Sequence, residues 1–135
     1  MGRLTRAISF VAMLVLLCSG KISHASGNTQ TTYYQFNNTA STGYTTYRAK
    51  NDNSKVYVHP TSGMTLYYSV YGAYNTSGSG EALCSSKVFV PVGTTAKITN
   101  SVYENGYSFA KLKFERISGS PVNINTTGIW SPDSN

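Results

Sequence analysis

Asn105-Gly106-Tyr107-Ser108-Phe109-Ala110-Lys111-Leu112-Lys113-Phe114-Glu115-Arg116 is the stretch that decides the fold class. From Ala110 onward its residues alternate. Ala110, Leu112 and Phe114 fall on one side of an extended chain, and Lys111, Lys113 and Glu115 on the other. A period of two is that of a strand with one core face and one solvated face. Asn105-Gly106 separates this arm, 107–116, from a β-prone run at 95–104. Both turn residues tolerate positive φ, so the pair predicts a hairpin that joins the two runs.

Moving outward, the strongest upstream segment is 65–74. Leu66, Tyr68 and Val70 share one face there, and Tyr67, Ser69 and Tyr71 the other. Rings on both faces point to a central strand. Val88, Val90 and Val92 align within 87–92, where Pro91 marks an edge or a strand end. Val56 and Val58 align within 55–59, which Pro60 is expected to stop. Shorter strands are expected at 33–36, 44–49 and 122–125, with Asn-, Ser- and Gly-rich turns between them. No long stretch carries a helical 3.6-residue period. The expectation is an all-β chain, a small antiparallel β-sandwich of about seven to eight short strands.

The first residues read as an export signal. Arg3 and Arg6 precede an uncharged, mostly apolar stretch at 7–17, and Ser23-His24-Ala25 makes a small-x-small cleavage site. The apolar stretch is well short of the roughly 20 residues that a membrane span needs, so no stable span is expected. Cys18 raises the alternative of a lipoprotein signal, but Leu17 stands where such a signal carries a small residue. Cleavage after Ala25 divides the chain into a signal peptide, 1–25, and a single β-rich domain, 26–135. Loss of Arg3, Arg6 and Lys21 lowers the formal charge from +6 to +3. That leaves no strong electrostatic case for nucleic acid. Cys84 is then the one remaining cysteine and has no intramolecular partner.

Catalytic chemistry has little to work with. The acids of this domain are Asp52, Glu81, Glu104, Glu115 and Asp133, and its one histidine is His59. No pair has metal-ligand spacing, and Asn51-Asp52-Asn53 reads as a solvated turn. No nucleophile elbow is present. Neither a catalytic group, a cofactor site nor a metal site is expected. All 11 tyrosines lie in the domain. Tyr67, Tyr71, Tyr103 and Tyr107 are the candidates for a polar-aromatic contact surface suited to sugars, peptides or another protein. The alternative is that they fill the core and coat sheet faces. Asn37, Asn75 and Asn125 begin Asn-x-Ser/Thr sequons, as expected of so Asn- and Thr-rich a chain.

Asn100-Ser-Val-Tyr-Glu-Asn-Gly-Tyr107, the Leu112 strand and Gly128-Ile-Trp-Ser-Pro-Asp-Ser134 together resemble a family of small, uncharacterised secreted proteins of Gram-positive bacteria, a domain of unknown function. The resemblance implies export from a Gram-positive cell and supplies no catalytic residue. The Gly-Ile-Trp tail also resembles lactococcin-type bacteriocins, which implies action on a neighbour's envelope with Trp130 at an interface. Otherwise Ile129 and Trp130 cover the end of the core as a last edge strand. The function expected is that of a secreted or wall-associated, non-enzymatic binding protein, its partner a cell-wall component or an extracellular protein. The alternatives are an antibacterial protein and a subunit of an extracellular fibre.

Overall fold

The computed structural model describes residues 27–135. The expected signal peptide and Cys18 lie outside the described residues. Ten strands follow one another: β1 (Thr32–Asn37), β2 (Thr42–Tyr44), β3 (Arg48–Ala49), β4 (Val56–Ser62), β5 (Leu66–Ala73), β6 (Ala82–Leu83), β7 (Val88–Val90), β8 (Ala96–Ile98), β9 (Phe109–Arg116) and β10 (Asn125–Ser131). They form two sheets. One has the order β1-β10-β4-β8. In the other, β9 and β5 are central, β2 and β3 pair with β9, and β6 and β7 pair with β5. Every pairing is antiparallel. The described chain is thus all-β and sandwich-like, with more strands than its sequence suggests, several of them only two or three residues long.

The two alternating segments form the spine of the larger sheet. Leu66 pairs with Arg116 and Ala73 with Phe109, eight residues in unbroken register. Their inward side chains, Leu66, Tyr68 and Val70 on β5 and Ala110, Leu112 and Phe114 on β9, are buried as alternation requires. Against them pack Tyr34, Phe36, Val56, Val58 and Trp130 of the smaller sheet. Phe114 lies between the layers, stacked on Tyr34 at 5.0 Å and on Phe36 at 5.4 Å. The core holds one polar bridge, the Tyr34 and Tyr68 hydroxyls 2.9 Å apart. Burial pushes the Tyr68 hydroxyl up to about 12, so the pair is neutral and each hydroxyl satisfies the other.

The expected hairpin does not form. The run at 95–104 yields only β8, which pairs with β4 in the smaller sheet, whereas β9 pairs with β5 in the larger. Between them the chain crosses from one layer to the other. Val102 plugs into the core, and Asn105, Gly106 and Tyr107 donate backbone hydrogen bonds to Ser101, Tyr103 and Val102. Gly106 does take the positive φ of a turn, at 81°. The dipeptide therefore marks a turn without naming the strand that follows as the partner of the one before.

Three further expectations change. Pro60 does not stop β4. It lies beyond the β8 pairing and beside a bulge opposite Thr127 and Gly128, where its missing N–H removes no ladder bond. The segment at 44–49 is not one strand but β2 and β3, both on β9. At the break Leu112 N–H donates to the Thr45 hydroxyl. The expected strand at 122–125 is mostly loop, and the tail itself is β10. That strand lies between β1 and β4, so Trp130 sits in an interior strand and not at an edge.

A buried ion pair ties this tail to the rest of the fold. Lys50 Nζ lies 2.7 Å from Asp133 Oδ1, both side chains wholly buried. Lys50 also donates to the Ser54 and Pro132 carbonyls, and Asp133 Oδ2 accepts the Asn28 and Asn51 backbone N–H groups. Cys84 is buried against the core.

Candidate functional site

Alternation that buries one face of β5 and β9 leaves the other half-exposed, though Ser69 on it is buried. On β5 that face carries Tyr67, Ser69 and Tyr71, and on β9 Lys111, Lys113 and Glu115. The flanking short strands add to it in register. Tyr44 of β2 lies opposite Lys113, Phe89 of β7 opposite Tyr67, and Leu83 of β6 opposite Tyr71. Tyr44, Leu83 and Phe89 are 47%, 57% and 56% exposed. Apolar and aromatic area on one side of one sheet is the kind of surface that marks contact sites.

Lysines interleave with the rings. Lys111 Nζ sits 4.2 Å from the Tyr44 ring centroid, 4.7 Å from that of Tyr47 and 5.8 Å from that of Tyr71. It is also 2.7 Å from Glu81 Oε2, which accepts the Tyr47 hydroxyl. The hydrogen bond from Lys111, then that from Tyr47, holds the Glu81 carboxyl below its usual range. Lys87 repeats the arrangement, 4.6 Å over Tyr67 and 2.6 Å from Glu115. Tyr67 and Phe89 meet edge to face at 5.9 Å, and Tyr44 and Tyr71 at 5.8 Å. Each exposed cation–π contact stabilises by about 0.5–1 kcal/mol. Together they hold the rings in fixed positions, so the surface is organised before any ligand arrives.

This face extends around the β2 edge. Tyr44 also borders a cleft of about 470 Å³ where the edge of β1 faces the β2–β3 edge of the other sheet. Tyr34, Phe114 and Trp130 form its interior side, and Tyr33, Gln35, Thr46 and Arg48 are among its other lining residues.

The structure divides the candidate residues. Tyr67 and Tyr71 share the outer face. Tyr107 does not join them. It packs inside the larger sheet over Gly72, whose missing Cβ would lie 2.9 Å from the Tyr107 ring, and it contacts Tyr74 at 4.8 Å. Tyr103 is half-exposed in the crossing segment between β8 and β9. Trp130, only 2% exposed, is a core residue and offers no free surface of its own. Tyr44, Tyr47 and Phe89 belong to the face and were not singled out by the sequence. Tyr44 and Phe89 reach it through the pairing of β2 with β9 and β7 with β5, and Tyr47 from the link between β2 and β3, placements that no local pattern states. Among the described residues no group of three His, Cys, Asp or Glu side chains converges as a metal site would require, and no helix is long and apolar enough to cross a membrane.

A family model described as "Protein of unknown function (DUF2712)" matches residues 22–134. No curated protein and no solved structure matches the chain.

Proposed function

The chain belongs to the DUF2712 family of proteins of unknown function, and we propose that it is a secreted or cell-wall-associated, non-enzymatic binding protein of a Gram-positive bacterium. Its contact surface is the aromatic outer face of the larger sheet. The observation that carries this reading is the register of Tyr67 and Tyr71 with Phe89, Leu83 and the lysines of β9, which gathers half-exposed and exposed rings on one side. The N-terminal signal pattern supports export. The partner is a cell-wall component or an extracellular protein. Most charge on the face is internally neutralised, Lys87 by Glu115 and Lys111 by Glu81, so ring contacts and hydroxyls dominate recognition over net charge. The antibacterial reading rested on Trp130 at an interface, and that side chain lies in the core.

Co-sedimentation with insoluble cell wall from the producing organism, alongside cross-linking in its culture medium, tests the proposal. The expected result is capture that falls at least tenfold in the Tyr67→Ala/Tyr71→Ala double variant, which stays folded and loses about 1–2 kcal/mol of stability with its two cation–π contacts. Undiminished capture by that variant would remove the face from the proposal. Turnover of a wall polymer that disappears in His59→Ala would overturn the non-enzymatic assignment.

A further inference from the structure

The cleft between β1 and the β2–β3 edge contains a cation with no anion to match it. The described residues form three ion pairs, Lys50–Asp133, Lys87–Glu115 and Lys111–Glu81, and none involves Arg48. Arg48 nevertheless lines the cleft and is half-buried. Its guanidinium is held in place 5.2 Å from the Trp130 ring centroid. Nη1 donates to the Thr32 hydroxyl and the Trp130 carbonyl, and Nη2 to the Gln30 carbonyl. An arginine has five N–H donors, so these three bonds leave two without a protein partner. Partial burial opposes the charge and lowers the affinity of Arg48 for its proton. An anion entering the cleft would relieve that cost.

The walls specify the rest of the ligand. Tyr33, 65% exposed, and Tyr44 present rings suited to the apolar face of a sugar. Gln35, Thr45 and Thr46 supply amide and hydroxyl groups for its hydroxyls. The volume of about 470 Å³ falls within the roughly 300–1,000 Å³ of small-molecule sites. We propose that this cleft binds an anionic saccharide, with Arg48 contacting a carboxylate or phosphate and Tyr33 and Tyr44 stacking on the sugar. The site shares Tyr44 with the outer sheet face but takes its own ligand through Arg48 and Tyr33. No bond is made or broken in it.

Calorimetric titration of the purified protein tests the assignment with three probes: a uronic-acid tetrasaccharide, a glucose tetrasaccharide carrying a phosphate group, and a neutral glucose tetrasaccharide. At least one anionic probe should bind ten times more tightly than the neutral one, and its affinity should fall as salt is raised. Preference for the uronate identifies a sugar carboxylate as the anion, and preference for the phosphorylated sugar a phosphate. Arg48→Gln should weaken the anionic probe at least tenfold and Tyr33→Ala about fivefold. Because Arg48 also ties β3 to β1, Tyr33→Ala and the salt series keep the test open if Arg48→Gln fails to fold. Tyr67→Ala, whose ring meets Phe89 and Lys87 and not Tyr44, should leave this binding unchanged, which separates failure of the cleft from failure of the sheet face. Absence of binding by both anionic probes at millimolar concentration would overturn the proposal. So would equal binding of the neutral probe, or capture only of extended peptides pairing with the edge of β1.

Discussion

Replacing Asp133 with alanine should remove a large part of the stability of this fold. Asp133 is wholly buried and 2.7 Å from Lys50 Nζ. Its second oxygen accepts backbone N–H groups of Asn28 at 2.7 Å and Asn51 at 2.8 Å. Truncation leaves the buried ammonium with two carbonyl acceptors and no carboxylate in direct contact, Asp52 being nearby but bonded to Ser54, and leaves two N–H donors without their acceptor. Removing one member of a buried pair costs about 3–5 kcal/mol. The two N–H groups are only part-buried and water can reach them, so they add little beyond that range. Against a total of about 5–15 kcal/mol for a domain, the loss is a fifth or more. At about 4 °C per kcal/mol, the midpoint should fall by roughly 12–20 °C. Urea unfolding followed by the fluorescence of Trp130, the one tryptophan and a core residue close in sequence to this pair, measures the change directly. Lys50→Met/Asp133→Leu should recover part of the loss, because no charge is then stranded, but not all, because the Asn28 and Asn51 N–H groups stay unpaired. A decrease below about 1 kcal/mol for Asp133→Ala, the value of an exposed pair, would refute the reasoning.

Tyr34→Phe leaves the Tyr68 hydroxyl without its partner in the core and should cost about 1–3 kcal/mol by urea unfolding, with Tyr34→Phe/Tyr68→Phe recovering part of it. Gly128→Ala places a methyl group 2.5 Å from the His59 carbonyl oxygen and from the Tyr34 hydroxyl; a thermal melt should show a loss of about 1–3 kcal/mol as β10 is pushed from β4. Burial raises the affinity of the Asp52 carboxylate for a proton, but the Ser54 hydroxyl and N–H, with Lys50 nearby, outweigh it and hold the group below its ordinary value. Its contribution is therefore present above the unfolded value of about 4 and is lost as pH falls through the lower folded value. Asp52→Asn should flatten the dependence of stability on pH in that acid window, and an unchanged slope in acid titrations of urea midpoints would count against it.

Period-two patterning is local, and what rests on it was readable in the chain. The inward set of Leu66, Tyr68 and Val70 and that of Ala110, Leu112 and Phe114 are both buried as expected, as is the all-β class. The outward placement of Tyr67 and Tyr71 follows from the same alternation, so two of the five rings of the face were legible. Which strand lies beside which is not local. Asn105-Gly106 has the conformational freedom of a hairpin turn, yet the burial of Val102 and the pairing of β8 with β4 carry the chain to the other sheet. Tyr44 and Phe89 reach the face only because β2 and β7 pair in a particular register with β9 and β5. Arg48 meets Trp130, and Lys50 meets Asp133, across more than 80 residues of chain. Alternation within a strand is set by backbone geometry that each segment carries with it, so the sequence alone determined which side chains share a face. The neighbours of each strand, and with them the core position of Trp130, the buried ion pair and the cleft, were decided only when the two sheets closed over a common core. That choice is made by burial summed over the whole domain.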